Sequence, residues 1–136
     1  MKQLIQVYVE KADDGTYWGT TQNIPGVVTA YGNSLEELKE NLKAAFEDYL
    51  EVAEEEKEDW LNDVKQMDEF VYKMDLSSFF RLIPEVKISA IAEKANINTS
   101  LLRQYVTGKS NPSEERVKQI EKAIHELGEE LLSVSF

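Results

Sequence analysis

The sequence predicts an α+β fold, with an N-terminal β-β-β-α-β domain over residues 1–73 and an all-helical domain over residues 74–136. In the first domain, short runs of alternating apolar residues precede a stretch with apolar residues at every third or fourth position. Charge changes at the same boundary, since residues 1–73 carry seven Lys against 17 Asp and Glu, whereas residues 74–136 carry eight Lys and Arg against nine acids. This difference indicates two modules.

Three strands are predicted before the first helix. Apolar and polar residues alternate over residues 4–9, and residues 17–21 and 27–31 are rich in β-branched and aromatic side chains. Asp and Gly at residues 13–15 favour a hairpin turn, because both tolerate a left-handed backbone. A second turn is indicated by Pro and Gly within residues 24–26. Together these segments form a three-stranded meander.

A long helix is expected to follow and to cover the sheet. Ser34 and Glu37 have the spacing of a capping box, in which the two side chains satisfy free amides of the first turn. The inward face of this helix holds Leu35, Leu38, Leu42, Ala45, Phe46, Tyr49 and Val52. The mostly acidic residues 54–63 are predicted to form the end of the helix and a loop, and residues 70–72 a fourth strand.

The second domain is predicted to be helical throughout. Residues 76–82 form a short helix that Pro84 stops, because proline restricts the residue before it and cannot continue a helix. The last helix begins at Ser113. Its inward face holds Val117, Ile120, Ile124 and Leu127.

The two helices in between have the spacing of a helix-turn-helix. Residues 88–95 present one apolar face, and Asn96 then supplies the positive φ angle of a tight turn. Asn98 caps the second helix and Gly108 terminates it. The exposed face of that helix carries side chains suited to reading base edges, namely Thr99, Ser100, Arg103 and Gln104.

This pattern resembles the phage-repressor helix-turn-helix family over residues 75–127. The resemblance implies that the major groove of operator DNA is met by Thr99, Ser100 and Arg103. It also implies that backbone phosphates are held by Lys109 and Asn111. The chain departs from the family pattern at residues 87–88, where Lys and Ile stand in place of a capping Ser or Thr and a Gln.

DNA binding of this kind predicts a homodimer or homotetramer, because a single small domain buries little area on an operator. The C-terminus ends in apolar side chains that could form the contact between copies, namely Leu131, Leu132, Val134 and Phe136. The alternative is that this tail folds over its own domain.

The first domain resembles the N-terminal domain of the HicB antitoxin family. The features that carry the resemblance are Gly19, the Pro25 and Gly26 pair, and the approach to the helix through Gly32, Ser34, Glu37 and Leu38. The resemblance implies a reduced ribonuclease-H-like fold that binds and blocks a small basic toxin ribonuclease. It also implies that the complex represses its own operon. The net charge of −10 over residues 1–73 independently favours a basic partner.

Enzymatic chemistry is not expected. Ribonuclease-H catalysis needs carboxylates gathered around two metal ions, yet the predicted first strand has no acid before Glu10, and Asp13 and Asp14 lie in the turn. His125 is the only histidine and the chain has no cysteine, so a histidine zinc site or a catalytic triad has too few parts. No metal or cofactor is expected, and Trp18 and Trp60 are interpreted as packing residues.

The leading hypothesis is therefore an antitoxin that also represses its own operon, with a basic toxin ribonuclease and double-stranded operator DNA as partners. The alternatives are a stand-alone transcription regulator, whose first domain senses a ligand or drives oligomerisation, and a metal-dependent nuclease that uses Asp13 and Asp14. The polar N-terminus and the lack of an apolar run of about 20 residues favour a cytoplasmic protein without a membrane partner.

Overall fold

The computed structural model describes residues 3–67 and 69–136, which divide into two compact units, one ending at Met74 and the other spanning Asp75–Phe136. The N-terminal unit contains β1 (Ile5–Lys11), β2 (Tyr17–Thr21), β3 (Thr29–Gly32), α1 (Leu35–Glu55), α2 (Leu61–Lys65) and β4 (Phe70–Lys73). The C-terminal unit contains α3 (Leu76–Leu82), α4 (Ile88–Lys94), α5 (Thr99–Thr107) and α6 (Glu114–Leu132). The predicted α+β class is confirmed.

The four strands form one sheet in the order β3-β2-β1-β4. The β1–β2 and β2–β3 pairs are antiparallel, whereas β4 pairs with β1 in parallel, with Ile5 opposite Phe70. Parallel neighbours need a crossover connection, which α1 and α2 provide here. The predicted alternation in β1 is confirmed, because Ile5, Val7 and Val9 are fully buried while Gln6 and Glu10 are exposed.

Helix α1 packs closely on the inner face of the sheet because two glycines make room for it. A Cβ atom at Gly32 would lie 2.6 Å from the backbone nitrogen of Leu38, and one at Gly19 would lie 3.2 Å from a methyl group of the same leucine. Leu38 and Leu42 are fully buried in this contact. One half of the predicted capping box is present, since the Ser34 hydroxyl accepts a hydrogen bond from the Glu37 amide at 3.1 Å.

Several boundaries and faces differ from the prediction. Strand β1 runs to Lys11, and β3 begins at Thr29 because Val27 is exposed beyond the turn at Gly26. Val52, predicted to face inward, is 53% exposed, and Ala53 is buried instead because it lies four residues after Tyr49 on the same stripe. Helix α2 lies partly in the predicted loop, where a single helical turn is too short for a periodic signal.

The C-terminal unit packs its four helices around one core. Phe80, Leu102 and Ile120 are buried near its centre. Val117 was predicted to face inward but is 38% exposed, while Ala123 is buried. The buried stripe of α6 runs through Ile120, Ala123 and Ile124, and Val117 lies at its edge in the first turn of the helix.

Three helices end in the same way, with one residue in the left-handed region and a backbone hydrogen bond that spans it. The left-handed residues are Lys57 (φ 53°) after α1, Asn96 (φ 58°) after α4 and Gly108 (φ 80°) after α5. The spanning bonds run from the Glu58 amide to the Ala53 carbonyl, from Ile97 to Ala92 and from Lys109 to Gln104. This is the Schellman arrangement, which reverses the chain sharply.

Candidate functional site

The connection between α4 and α5 is a short turn fixed at both ends. Asn96 takes the predicted left-handed conformation, and the next residue, Ile97, is buried in the core. The Asn98 carboxamide then caps α5 by accepting a hydrogen bond from the Ser100 amide at 2.8 Å. Leu102, one turn further along, is fully buried. The turn therefore holds α5 in one orientation against α4.

The predicted base-reading residues share the outer side of α5. Ser100 and Arg103 are exposed and Thr99 is half-buried, and the spacing of three and four residues puts all three on one face. Within the described ranges, no hydrogen bond or ion pair is found for the Arg103 guanidinium. Its side chain is thus available to a ligand.

Gln104, predicted only as a base-reading residue, also forms hydrogen bonds to the turn that follows α5. Its side-chain oxygen accepts a hydrogen bond from the Ser110 hydroxyl at 3.0 Å, and its carbonyl accepts hydrogen bonds from the amides of Lys109 and Ser110. Gln104 therefore holds the polar turn that follows α5, on which Lys109 and Asn111 are exposed. A Gln followed six residues later by Ser is too common a pattern to have predicted this.

One of the local cations is already paired. The Lys94 ammonium, at the end of α4, donates a hydrogen bond to the Glu130 carboxylate of α6. This hydrogen bond, together with the charge of Glu130, raises the pKa of Lys94 above its usual value. The charge of Lys94 is thus partly neutralised. Lys87 precedes α4 without forming a side-chain cap, in keeping with the departure seen in the sequence.

The N-terminal unit presents an acidic outer surface on α1. Two exposed lysines on this helix, Lys39 and Lys43, are outnumbered by eight exposed acids, namely Glu36, Glu37, Glu40, Glu47, Asp48, Glu51, Glu54 and Glu55. The far side of the helix packs on the sheet, so the acids are confined to one side. This surface would attract a basic protein.

The turn between β1 and β2 uses one of the two acids proposed for metal binding in the nuclease alternative. Asp14 accepts hydrogen bonds from the amide and the hydroxyl of Thr16, and these bonds lower the pKa of its carboxyl group. Thr16 in turn accepts a hydrogen bond from the Trp18 indole, which stacks on Tyr31 at 4.9 Å. Among residues 3–67 and 69–136, no group of three His, Cys, Asp or Glu is placed to hold a metal ion.

The apolar C-terminal residues do not fold over their own unit. Leu131, Leu132, Val134 and Phe136 are each more than half exposed. The alternative in which they pack on the C-terminal unit is therefore not found, because the core of that unit is completed by α6 residues up to Leu127. In the part of the chain that the structure describes, no helix combines the length and apolar character that crossing a membrane requires.

Comparison with known families assigns most of the chain to a family. A family model described as the HicB-like antitoxin of bacterial toxin-antitoxin system matches residues 5–123. Searches of curated proteins and of solved structures gave no match to this chain. The matched residues include nearly all of the N-terminal unit and α3, α4 and α5 of the second. The chain therefore belongs to the HicB-like antitoxin family.

Proposed function

We propose that this protein neutralises a small basic mRNA-cleaving toxin through residues 1–73 and represses its own operon through residues 74–136. The observation that carries the proposal is the family match, which runs through both units. The protein acts by binding alone, without a cofactor, and works in the cytoplasm, where both the operator and the toxin's messenger RNA are found.

Toxin binding is supported by charge. The residues up to Met74 hold most of the net charge of the chain, and the exposed side of α1 carries a fourfold excess of acids over lysines. A basic protein is attracted to this surface over a distance of about 10 Å at moderate salt. We propose that the unit is a reduced ribonuclease-H-like domain that serves as a binding platform, its acids meeting the toxin instead of metal ions.

Operator binding is supported by the placement of α5. We propose that α4 and α5 form a helix-turn-helix, with Thr99, Ser100 and Arg103 in the major groove. Lys109 and Asn111 would contact phosphates from the turn that Gln104 holds in place. The side-chain nitrogen of Gln104 is left to reach DNA, because its oxygen is occupied by Ser110.

A homodimer or homotetramer would place two such helices on an inverted repeat, one helical turn of DNA apart. The exposed side chains of Leu132 and Phe136 are the proposed contact between copies. Their exposure supports this role, since large apolar side chains gain free energy when a partner covers them.

The test is co-expression with the small basic open reading frame expected beside this gene. We expect growth arrest when that frame is expressed alone, rescue when this protein is added, and co-purification of the two. The DNA upstream of the gene pair should bind this protein more tightly than scrambled DNA of the same length. If no complex forms and growth is not rescued while the DNA still binds, the stand-alone regulator is the correct function.

A further inference from the structure

The N-terminal unit has an open cavity at the C-terminal end of α1. Its volume is about 290 Å³, and it is lined by Tyr49, Val52, Ala53, Glu56, Glu58 and Trp60. Cavities that bind whole small molecules measure roughly 300–1,000 Å³, so this one lies just below that range. The size suits a single long side chain.

The cavity is formed by the way in which α1 ends. Lys57, in the left-handed conformation, reverses the chain, and the Glu58 amide binds the Ala53 carbonyl at 3.0 Å. The reversal brings Trp60 back over Tyr49, where the two rings stack at 5.3 Å with an angle of 18° between their planes. The Tyr49 hydroxyl donates to the Pro25 carbonyl at 2.6 Å, which fixes its ring. The walls are thus held in place by the protein itself.

The lining combines aromatic surface with two carboxylates. Within residues 3–67 and 69–136, no cation is paired with Glu56 or Glu58, whereas nearby Glu54 lies 4.0 Å from Lys65. Lys57, between the two in sequence, is exposed and does not line the cavity. Glu58 and Tyr49 line the same cavity, and both burial and the negative charge of Glu58 raise the pKa of Tyr49.

From this geometry we infer that the cavity receives a cationic side chain, an arginine, from the basic toxin. The guanidinium would lie against Trp60 and Tyr49 and pair with Glu56 and Glu58, while its methylene groups would contact Val52 and Ala53. The inference rests on the proposed function. It adds a single anchoring point to a surface that otherwise attracts the toxin by charge alone.

The first test compares two double variants with the same charge change. The cavity variant, Glu56→Gln with Glu58→Gln, removes the two carboxylates that line the cavity. The control variant, Glu51→Gln with Glu55→Gln, removes two exposed acids of α1 that do not line it. Both should slow association with the co-purified toxin to a similar extent, because long-range attraction depends on total charge. Only the cavity variant should also speed dissociation, by about tenfold, because only it loses a local pair.

The second test locates the contact by fluorine NMR of the full chain labelled with fluorotryptophan. The two tryptophans give two signals, which Trp18→Phe and Trp60→Phe assign. Unlabelled toxin should shift the Trp60 signal in the wild type, and in the cavity variant the shift should need more toxin. A shift of Trp18 alone would place the toxin on the opposite part of the unit and overturn the inference.

The outcomes separate the inference from the proposed function. If the wild-type chain binds the toxin and the two double variants dissociate at the same rate, the cavity is not the anchor although the antitoxin function stands. If the wild-type chain binds no toxin, the proposed function fails and the arginine site fails with it.

Discussion

At the scale of single residues, the left-handed positions show how one backbone requirement is met by different side chains. Gly108 meets it without strain, Asn96 is the common second choice, and Lys57 carries a Cβ in a region that disfavours one. Sequence reasoning found Asn96 and Gly108 because these residue types are typical of the position. The left-handed conformation of Lys57 was not predicted, because lysine is not typical of that position. The chain reversal that forms the cavity was therefore not predicted either.

Replacing Lys57 by Gly should stabilise the N-terminal unit by about 0.5–1 kcal/mol, because glycine adopts a positive φ without a steric cost. Urea unfolding followed by tryptophan fluorescence reports this unit alone, since Trp18 and Trp60 both lie in it. The matched control is Lys43→Gly within α1, which should destabilise by about 1 kcal/mol. If both variants were less stable than the wild type, the conclusion that the backbone is strained at Lys57 would be contradicted.

The proposed DNA contacts differ in what they read. Arg103→Ala should relax base preference and cost about 1–3 kcal/mol on the operator, because arginine can bind guanine through two hydrogen bonds. Lys109→Ala should weaken binding to all sequences alike and reduce the slope of affinity against salt by about one. Titrations of operator and random DNA at several salt concentrations distinguish the two. If both variants had equal effects on operator and random DNA, the assignment of Arg103 to bases and Lys109 to phosphates would be refuted.

At the scale of elements, the sequence predicted the helices and strands well wherever a pattern was local. The β2 strand and α3 have the predicted bounds, since flanking turn residues and a proline mark them. The parallel pairing of β4 with β1 was not predicted, because no local sequence pattern shows which strands far apart in the chain are neighbours in the sheet. The bonds that Gln104 makes to its turn, and the Lys94–Glu130 pair between α4 and α6, likewise depend on the folded backbone.

The contact between α1 and β3 depends on the missing side chain of Gly32. Gly32→Ala should destabilise the N-terminal unit by about 1–3 kcal/mol, because its Cβ would meet the Leu38 backbone, which cannot move independently of the helix. Gly19→Ala serves as the comparison and should destabilise the unit less, since the nearest neighbours of its Cβ are side-chain methyl groups of Val7 and Leu38, which can move. Unfolding midpoints in urea give the ranking, which would be disproved if Gly19→Ala were the more harmful.

The inner side of the sheet should weaken in alkali. Burial raises the pKa of Tyr72 on β4 and of Tyr49 on α1, so both tyrosines stay protonated in the folded chain at a pH where the unfolded chain loses the proton. Their contribution is complete below the ordinary tyrosine pKa of about 10 and is lost as the pH rises through the raised values. Tyr72→Phe should therefore reduce the loss of stability above about pH 10, measured by urea unfolding against pH.

At the scale of the whole molecule, two units of unlike charge are joined in one chain, which belongs to the HicB-like antitoxin family. The resemblance to the HicB antitoxin family is confirmed by the family match. The residues that would contact the proposed toxin could not be derived from composition, because the exposed charge on α1 is spread over many equivalent carboxylates. The cavity beside Trp60 reduces the candidate toxin contacts to the few residues that line it.

Assembly is expected to depend on the exposed end of the chain. Leu132→Ser with Phe136→Ser should lower the proportion of dimer in sedimentation experiments and weaken operator binding, because each copy alone offers one α5 to DNA. The C-terminal unit should keep its helical circular dichroism, since neither side chain belongs to its core. Unchanged sedimentation would show that copies meet elsewhere.

The parallel pairing of β1 with β4 has a consequence for biosynthesis. The first strand leaves the ribosome early, but its neighbour on one side is not made until residues 70–73 have been translated. Until then β1 has an unpaired edge, which is a site for aggregation or for pairing with another chain. A nascent or prematurely terminated chain that lacks Phe70 thus exposes the edge of β1, whereas one that reaches Lys73 can complete the sheet before the C-terminal unit has been synthesised.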